Sequence, residues 1–187
     1  MVHVSEVMRR LLLLALLGLH GCDAPAGWTT AHDRVHGTTV SFPGDWHRAK
    51  RSLTPNLVYP TEVVAVATYP LRASAPQRCA HVPERALRDL GPTDVLVTVS
   101  ERAAARLDRE EFRPRTRPFG IGRPQRTDHS VCVRRHDIEE HWIPFSDAGR
   151  EFYAFVGFGR KASARRRAAV TRILDSLHFT HRRGAGA

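Results

Sequence analysis

Three stretches of β-branched and aromatic residues restrict this 187-residue chain to folds built on a sheet. In Glu151 to Phe158, the side chains of Phe152, Ala154, Val156 and Phe158 fall on one face and those of Tyr153 and Phe155 on the other, the period of a strand. Asp94 to Ser100 alternates Val95, Val97 and Val99 against Leu96 and Thr98. Val63 to Tyr69 is almost continuously apolar, the pattern of a strand covered on both faces, and belongs mid-sheet. His141 to Phe145 precedes Glu151 to Phe158 across Asp147-Ala148-Gly149, which predicts a bulged hairpin. Thr38 to Phe42, followed by the turn residues Pro43-Gly44-Asp45, predicts a first hairpin with Arg48 to Leu53 as its return arm. Ser130 to Arg135 adds a strand with Cys132 on one face and Val131 and Val133 on the other.

Helical signals are few. Pro83 to Leu90 opens with proline and ends at Gly91-Pro92, a short helix. In Ser163 to Leu177, Val170, Ile173, Leu174 and Leu177 stand at i, i+3, i+4 and i+7 and form one apolar stripe that must lie on the sheet. His178 and Phe179 close the pattern as a terminal strand. The fold class is α+β: an antiparallel sheet of about five to seven strands, with a C-terminal helix and a short middle helix packed mainly on one face. Residues 101–128, with Pro114, Pro118 and Pro124 among many arginines and a helical turn near Ala103 to Leu107, read as a long loop. Loops of this length are functional or disordered, and the sequence leaves both open.

The N-terminal region sets the compartment. Arg9 and Arg10 precede Leu11 to Leu19, a run far shorter than the ~20 apolar residues of a membrane span and suited to a secretory signal. It ends in Leu19-His20-Gly21-Cys22, and with this ending the chain resembles bacterial lipoprotein precursors. The resemblance implies that Cys22 carries a diacylglyceryl group and becomes the mature N-terminus, with further acylation such as palmitate, holding the protein on the extracytoplasmic face of the cell membrane. An ordinary cleaved signal is the competing reading. Translation starts at Met1 or Met8. The expected division is a signal peptide over 1–21, a flexible tether over 22–36, a single α+β domain over 37–179 and a disordered basic tail over 180–187.

Removing the signal leaves 166 of the 187 residues and takes away two arginines and one glutamate, lowering the net charge from +10 to +9. For an exported chain that charge meets anionic headgroups and wall polymers, not nucleic acid. Besides Cys22 there remain Cys79 and Cys132, which in an oxidising space are most simply a structural disulfide worth roughly 4 kcal/mol in the chain-entropy model.

At its two ends the chain resembles the PsbP-like family, through Gly37-x-x-Val40-Ser41-Phe42-Pro43-x-x-Trp46 and Ile173-Leu174-Asp175-Ser176-Leu177-His178-Phe179. The resemblance implies a domain that binds partners instead of catalysing a reaction, and it carries over no active-site residues. The residues themselves agree. There is no G-x-S-x-G elbow. His129, His136, Asp137, Glu139, Glu140 and His141 are rich in ligand types, but His136 and His141 are an odd number apart and face opposite sides of a strand, so the solvated face of a hairpin accounts for them better than a metal. Arg165, Arg166 and Arg167 in the first turn of the terminal helix are the anion-binding candidates, since guanidinium forks and free backbone N–H groups meet there.

These readings combine into a non-catalytic, lipid-anchored envelope module that binds a protein or a small amphiphilic ligand and has no cofactor. The alternatives are electrostatic attachment to anionic wall polymer or phospholipid, and a metal-dependent enzyme using His136 or His141. Substituting Cys22→Ser should move the protein from the detergent phase to the aqueous phase on phase partition; a variant that partitions like the parent contradicts acylation at Cys22.

Overall fold

The computed structural model describes residues 27–55, 57, 59–72, 83–103, 108–124 and 137–181. In chain order the elements are β1 (Trp28–Asp33), β2 (Thr38–Pro43), β3 (His47–Arg48), β4 (Thr61–Ala67), α1 (Glu84–Asp89), β5 (Val95–Arg102), β6 (Ile138–Asp147), β7 (Arg150–Gly159), α2 (Ala164–Ser176) and β8 (His178–Phe179). They form an antiparallel five-stranded sheet in the order β3-β4-β5-β7-β6 and an antiparallel three-stranded sheet in the order β1-β2-β8. With two helices beside them among the described residues, the fold is α+β.

Strand parity separates two cores. Val95, Val97 and Val99 of β5 and Phe152, Ala154, Val156 and Phe158 of β7 pack with Val170, Ile173 and Leu174 of α2 and with Val40, Phe42 and Phe179 of the small sheet. Leu96 and Phe155, pointing the other way, pack with Ala86 and Leu87 of α1 and with Leu53 and Tyr69. The helices therefore lie on opposite faces of the large sheet, not mainly on one. Six-residue α1 has too little stripe to stand alone; Ala86, Leu87 and Leu90 are nearly fully buried, and the Tyr69 hydroxyl donates to the Ala86 carbonyl at 2.6 Å. Each buried large side chain contributes roughly 1.5–3 kcal/mol, so the helix is held by packing, not by propensity.

Two strand assignments and one turn change. Residues 28–33, expected within a tether, form β1, whose in-register partner is β2. Its outward face is polar, with Thr30 and His32 hydrogen-bonded to Ser41 and Thr39 at 2.8 and 3.0 Å, so it shows little hydrophobic alternation. The β1–β2 turn is held by Asp33, which accepts the Val35 and His36 N–H groups, and by Gly37 at φ 58°, where a Cβ would stand 2.0 Å from Thr180 Oγ1. Burial favours the protonated Asp33 carboxyl, but the hydrogen bonds from His36 outweigh it and hold the group below its usual range. The segment after Trp46 contributes β3 to β4 and makes no return arm for β2. The β6–β7 connection is a two-residue turn, with Ala148 and Gly149 at φ 52° and 71° and unbroken register from Asp147↔Arg150 upward; it contains no bulge. The predicted Ser130 to Arg135 strand, most of the helical turn near residues 103–107 and all but the first residues of the 180–187 tail lie outside the described residues.

The two sheets are joined at one end of the β5–β7 ladder. Arg150 donates from Nε and Nη2 to the two carboxylate oxygens of Glu101 at 3.0 and 2.7 Å, with side-chain exposures of 5% and 9%. The same guanidinium donates to the carbonyls of His36 at 2.9 Å and Thr180 at 3.3 Å and lies against the rings of Phe152 and Phe179. On the opposite face Arg102 pairs with buried Glu151 at 2.8 Å, and Glu151 also accepts the Asp108 N–H. Residues 108–124 then run beside β6, through a parallel bridge between Pro114 and Ser146, and bury Phe112 and Phe119. These residues form a packed strap.

Glu62 of β4 accepts the N–H of fully buried Leu53 at 2.9 Å. Burial pushes its carboxyl up to about 7, against the opposing pull of that hydrogen bond. The folded value lies above the ordinary 4.5, so the folded state binds the extra proton and the associated stability, complete below pH 4.5, is lost as pH rises to 7. Glu62→Gln keeps an acceptor for Leu53 without the charge, and should raise unfolding stability at pH 8 by ~1–3 kcal/mol while changing it little at pH 4.5. Urea titrations at the two pH values check this; a variant no more stable than the parent at pH 8 contradicts it.

Candidate anion-binding groove

Helix α2 owes its position to its stripe and to two polar ties. Ser163 caps it, its hydroxyl accepting the Arg166 N–H at 3.3 Å, which satisfies one of the orphan donors of the first turn. At the far end Ser176 accepts the Ser41 N–H at 2.9 Å and so fastens the helix to β2. Between the first turns of α2 and the open end of the β1–β2 hairpin lies a groove of about 400 Å³, walled by Trp28, Asp45 and Trp46 on one side and by Arg165, Arg166 and Arg172 on the other. Ala168 and Ala169 leave its floor low. Trp46 is nearly buried, Trp28 half-buried, and the Arg172 guanidinium lies 4.2 Å from the centre of the Trp28 ring, a cation–π contact.

The three arginines predicted as an anion site do not act together. Arg165 is exposed and makes no ion pair among the described residues. Arg166 reaches the Thr93 carbonyl and lies 3.6 Å from the Asp94 carboxylate, while still lining the groove. Arg167 points away: it grips Glu139 with two bonds of 3.0 and 2.8 Å and sits 4.4 Å from the Phe158 ring centre. Hydrogen bonding from Arg167 first, against the penalty of burial and with help from His141, holds Glu139 below its usual range. Arg172 replaces Arg167 in the groove. The signal for it was present, because Arg165, Ala168, Ala169 and Arg172 stand at i, i+3, i+4 and i+7, one helix face opposite the apolar stripe. Ser163 already takes the Arg166 N–H at the helix N-terminus, and the guanidinium groups of Arg165, Arg166 and Arg172 line the groove as its charged donors.

The histidine and carboxylate cluster resolves differently. His129 and His136 lie outside the described residues, as do Cys22, Cys79 and Cys132. His141 is 3% exposed, beneath the strap instead of on a solvated face. Its Nδ1 is 3.2 Å from the Ile121 carbonyl and its Nε2 3.1 Å from Glu139, so both ring nitrogens face protein acceptors. Among the described residues no three His, Cys, Asp or Glu side chains are grouped to hold a metal ion, and no helix is long and apolar enough to cross a membrane.

A second cavity of about 520 Å³ lies by the β6–β7 turn, with Arg109, Arg115 and Arg117 in its wall. Arg115 is committed: it donates to the carbonyls of Leu174 and Leu177 at 2.9 and 2.7 Å and pairs with Asp147. Burial lowers the pKa of this guanidinium and Asp147 opposes the shift. Its role is to cap the C-terminal end of α2.

No family model, curated protein or solved structure matches this chain.

Proposed function

We propose that this chain is a non-catalytic, lipid-anchored module of the bacterial envelope, acylated at Cys22, which binds a small amphiphilic anion in the groove between the β1–β2 hairpin and α2. The observation that carries the reading is the juxtaposition of two indoles with three guanidinium groups on facing walls of one cleft. Indole surface takes an alkyl or ring portion, gaining roughly 25 cal/mol per Å² of apolar area removed from water. Guanidinium groups take the anion through charge-assisted hydrogen bonds, bidentate where the geometry permits. Asp45 on the indole side selects against a ligand that places its charge there. Exposed Arg109, Arg113, Arg117 and Arg123 along the strap favour a second, weaker mode, screened electrostatic contact with anionic polymer.

Titration of the purified chain with dodecyl phosphate below its micelle concentration tests the first mode. A saturable change in tryptophan emission is expected, absent with dodecyl maltoside, with an affinity weakened by roughly tenfold or more in Ala168→Phe, which fills the groove from its exposed floor without adding an indole. Equal responses to the two amphiphiles, or an unaltered affinity in Ala168→Phe, contradict the reading.

A further inference from the structure

The described fold begins at Gly27, whose carbonyl accepts the Gly44 N–H at 2.7 Å. The contact is close enough that a Cβ on Gly44 would stand 2.9 Å from the Gly27 oxygen, so it fixes the place where the preceding chain leaves the domain. That place is the rim of the groove. Trp28, next in sequence to Gly27, and Pro43, Asp45 and Trp46, which flank Gly44, are all groove wall.

Covalent geometry then limits how the domain can sit. Cys22 is five residues before Gly27, and at ~3.6 Å per residue the two are never more than about 18 Å apart, whatever path the intervening chain takes. A folded domain of this size is roughly 40 Å across. A leash under half that length brings the groove side of the molecule to the bilayer and keeps α1, across the sheet, away from it. The chemistry at this end suits the place: tryptophan favours the boundary between hydrocarbon and headgroups, and arginine favours their phosphates. Inorganic phosphate or a wall phosphodiester would use the guanidinium groups but bring no apolar group to the half-buried Trp28 ring beside Arg172.

Resting on the acylation of Cys22 proposed above, we infer that the groove faces the membrane and that the anion it takes is the phosphate of a net-negative glycerophospholipid, of the phosphatidylglycerol type, in the leaflet to which the chain is anchored. Arg165 and Arg172 supply the phosphate contacts, Arg166 lends its remaining donors, and Trp28 enters the interface. The anchor and the groove thus form a two-point attachment that fixes the orientation of the domain as well as its location.

The test uses the full-length lipoprotein in nanodiscs carrying headgroup spin labels, made with phosphatidylglycerol or with phosphatidylcholine, reading quenching of tryptophan emission. Quenching should be strong in phosphatidylglycerol, largely removed by Trp28→Phe, and weakened in Arg165→Gln/Arg172→Gln. Binding of the unacylated Cys22→Ser chain to phosphatidylglycerol vesicles should fall roughly tenfold in the same double variant. Arg85→Gln/Arg88→Gln on α1 should leave both readouts unchanged. A double variant that quenches and binds like the parent, a larger effect from the α1 variant, or equal quenching in the two lipids overturns the inference. Complete displacement from vesicles by millimolar inorganic phosphate overturns it in favour of a free anion. Intact mass of the protein purified from membranes reports acylation separately: an unmodified Cys22 removes the short leash and with it the orientation, whereas the vesicle arm still decides the chemistry of the groove.

Discussion

A guanidinium group buried between two sheets is the contact on which the rest of this structure depends. Arg150 begins β7, meets Glu101 of β5 through two hydrogen bonds, and spends its remaining donors on the carbonyls of His36 and Thr180, at the two points where the small sheet turns back toward the large one. Neither charge is free to revert to water, so losing one partner would strand the other, a cost of about 3–5 kcal/mol. The mirror-image pair of Arg102 and Glu151 repeats the device on the opposite face and ties in the strap. Side chains at adjacent positions of a strand point to opposite faces, so the dipeptides Glu101-Arg102 and Arg150-Glu151 place one ion pair on each face of a single ladder.

From that joint the groove follows. The knot sets the β1–β2 hairpin beside the large sheet, Val40, Phe42 and Phe179 continue the same core into α2, and Ser176 fastens the helix to β2. Arg115 closes the other end by taking the last carbonyls of the helix. Held at both ends, α2 presents Arg165 and Arg172 to the indoles.

Much of this architecture was legible in the sequence. A continuous apolar run marked β4, alternation marked β5 and β7, and an i, i+3, i+4, i+7 stripe marked α2, because each pattern is written by burial alone. β1 was hidden because one of its faces is solvated and bears threonine and histidine, residues equally at home in a linker. The strap was ambiguous because proline-rich, arginine-rich segments give no periodicity, and its order comes from long-range partners: Glu151, Asp147 and Asp175. Arg167 was assigned to an anion site on proximity in sequence. Helical rotation puts it instead on the side facing Glu139, while Arg172, seven residues after Arg165, shares the groove.

Native-state hydrogen exchange on the parent and on Arg150→Met addresses the joint directly. If the buried guanidinium couples the sheets, the amides of Thr38, Thr39 and Phe179 in the parent open with the same free energy as those of β5 and β7, and in the variant they exchange faster by roughly a hundredfold than the β5–β7 ladder does. Protection lost uniformly across both sheets in the variant, or unchanged in the small sheet, would contradict the account.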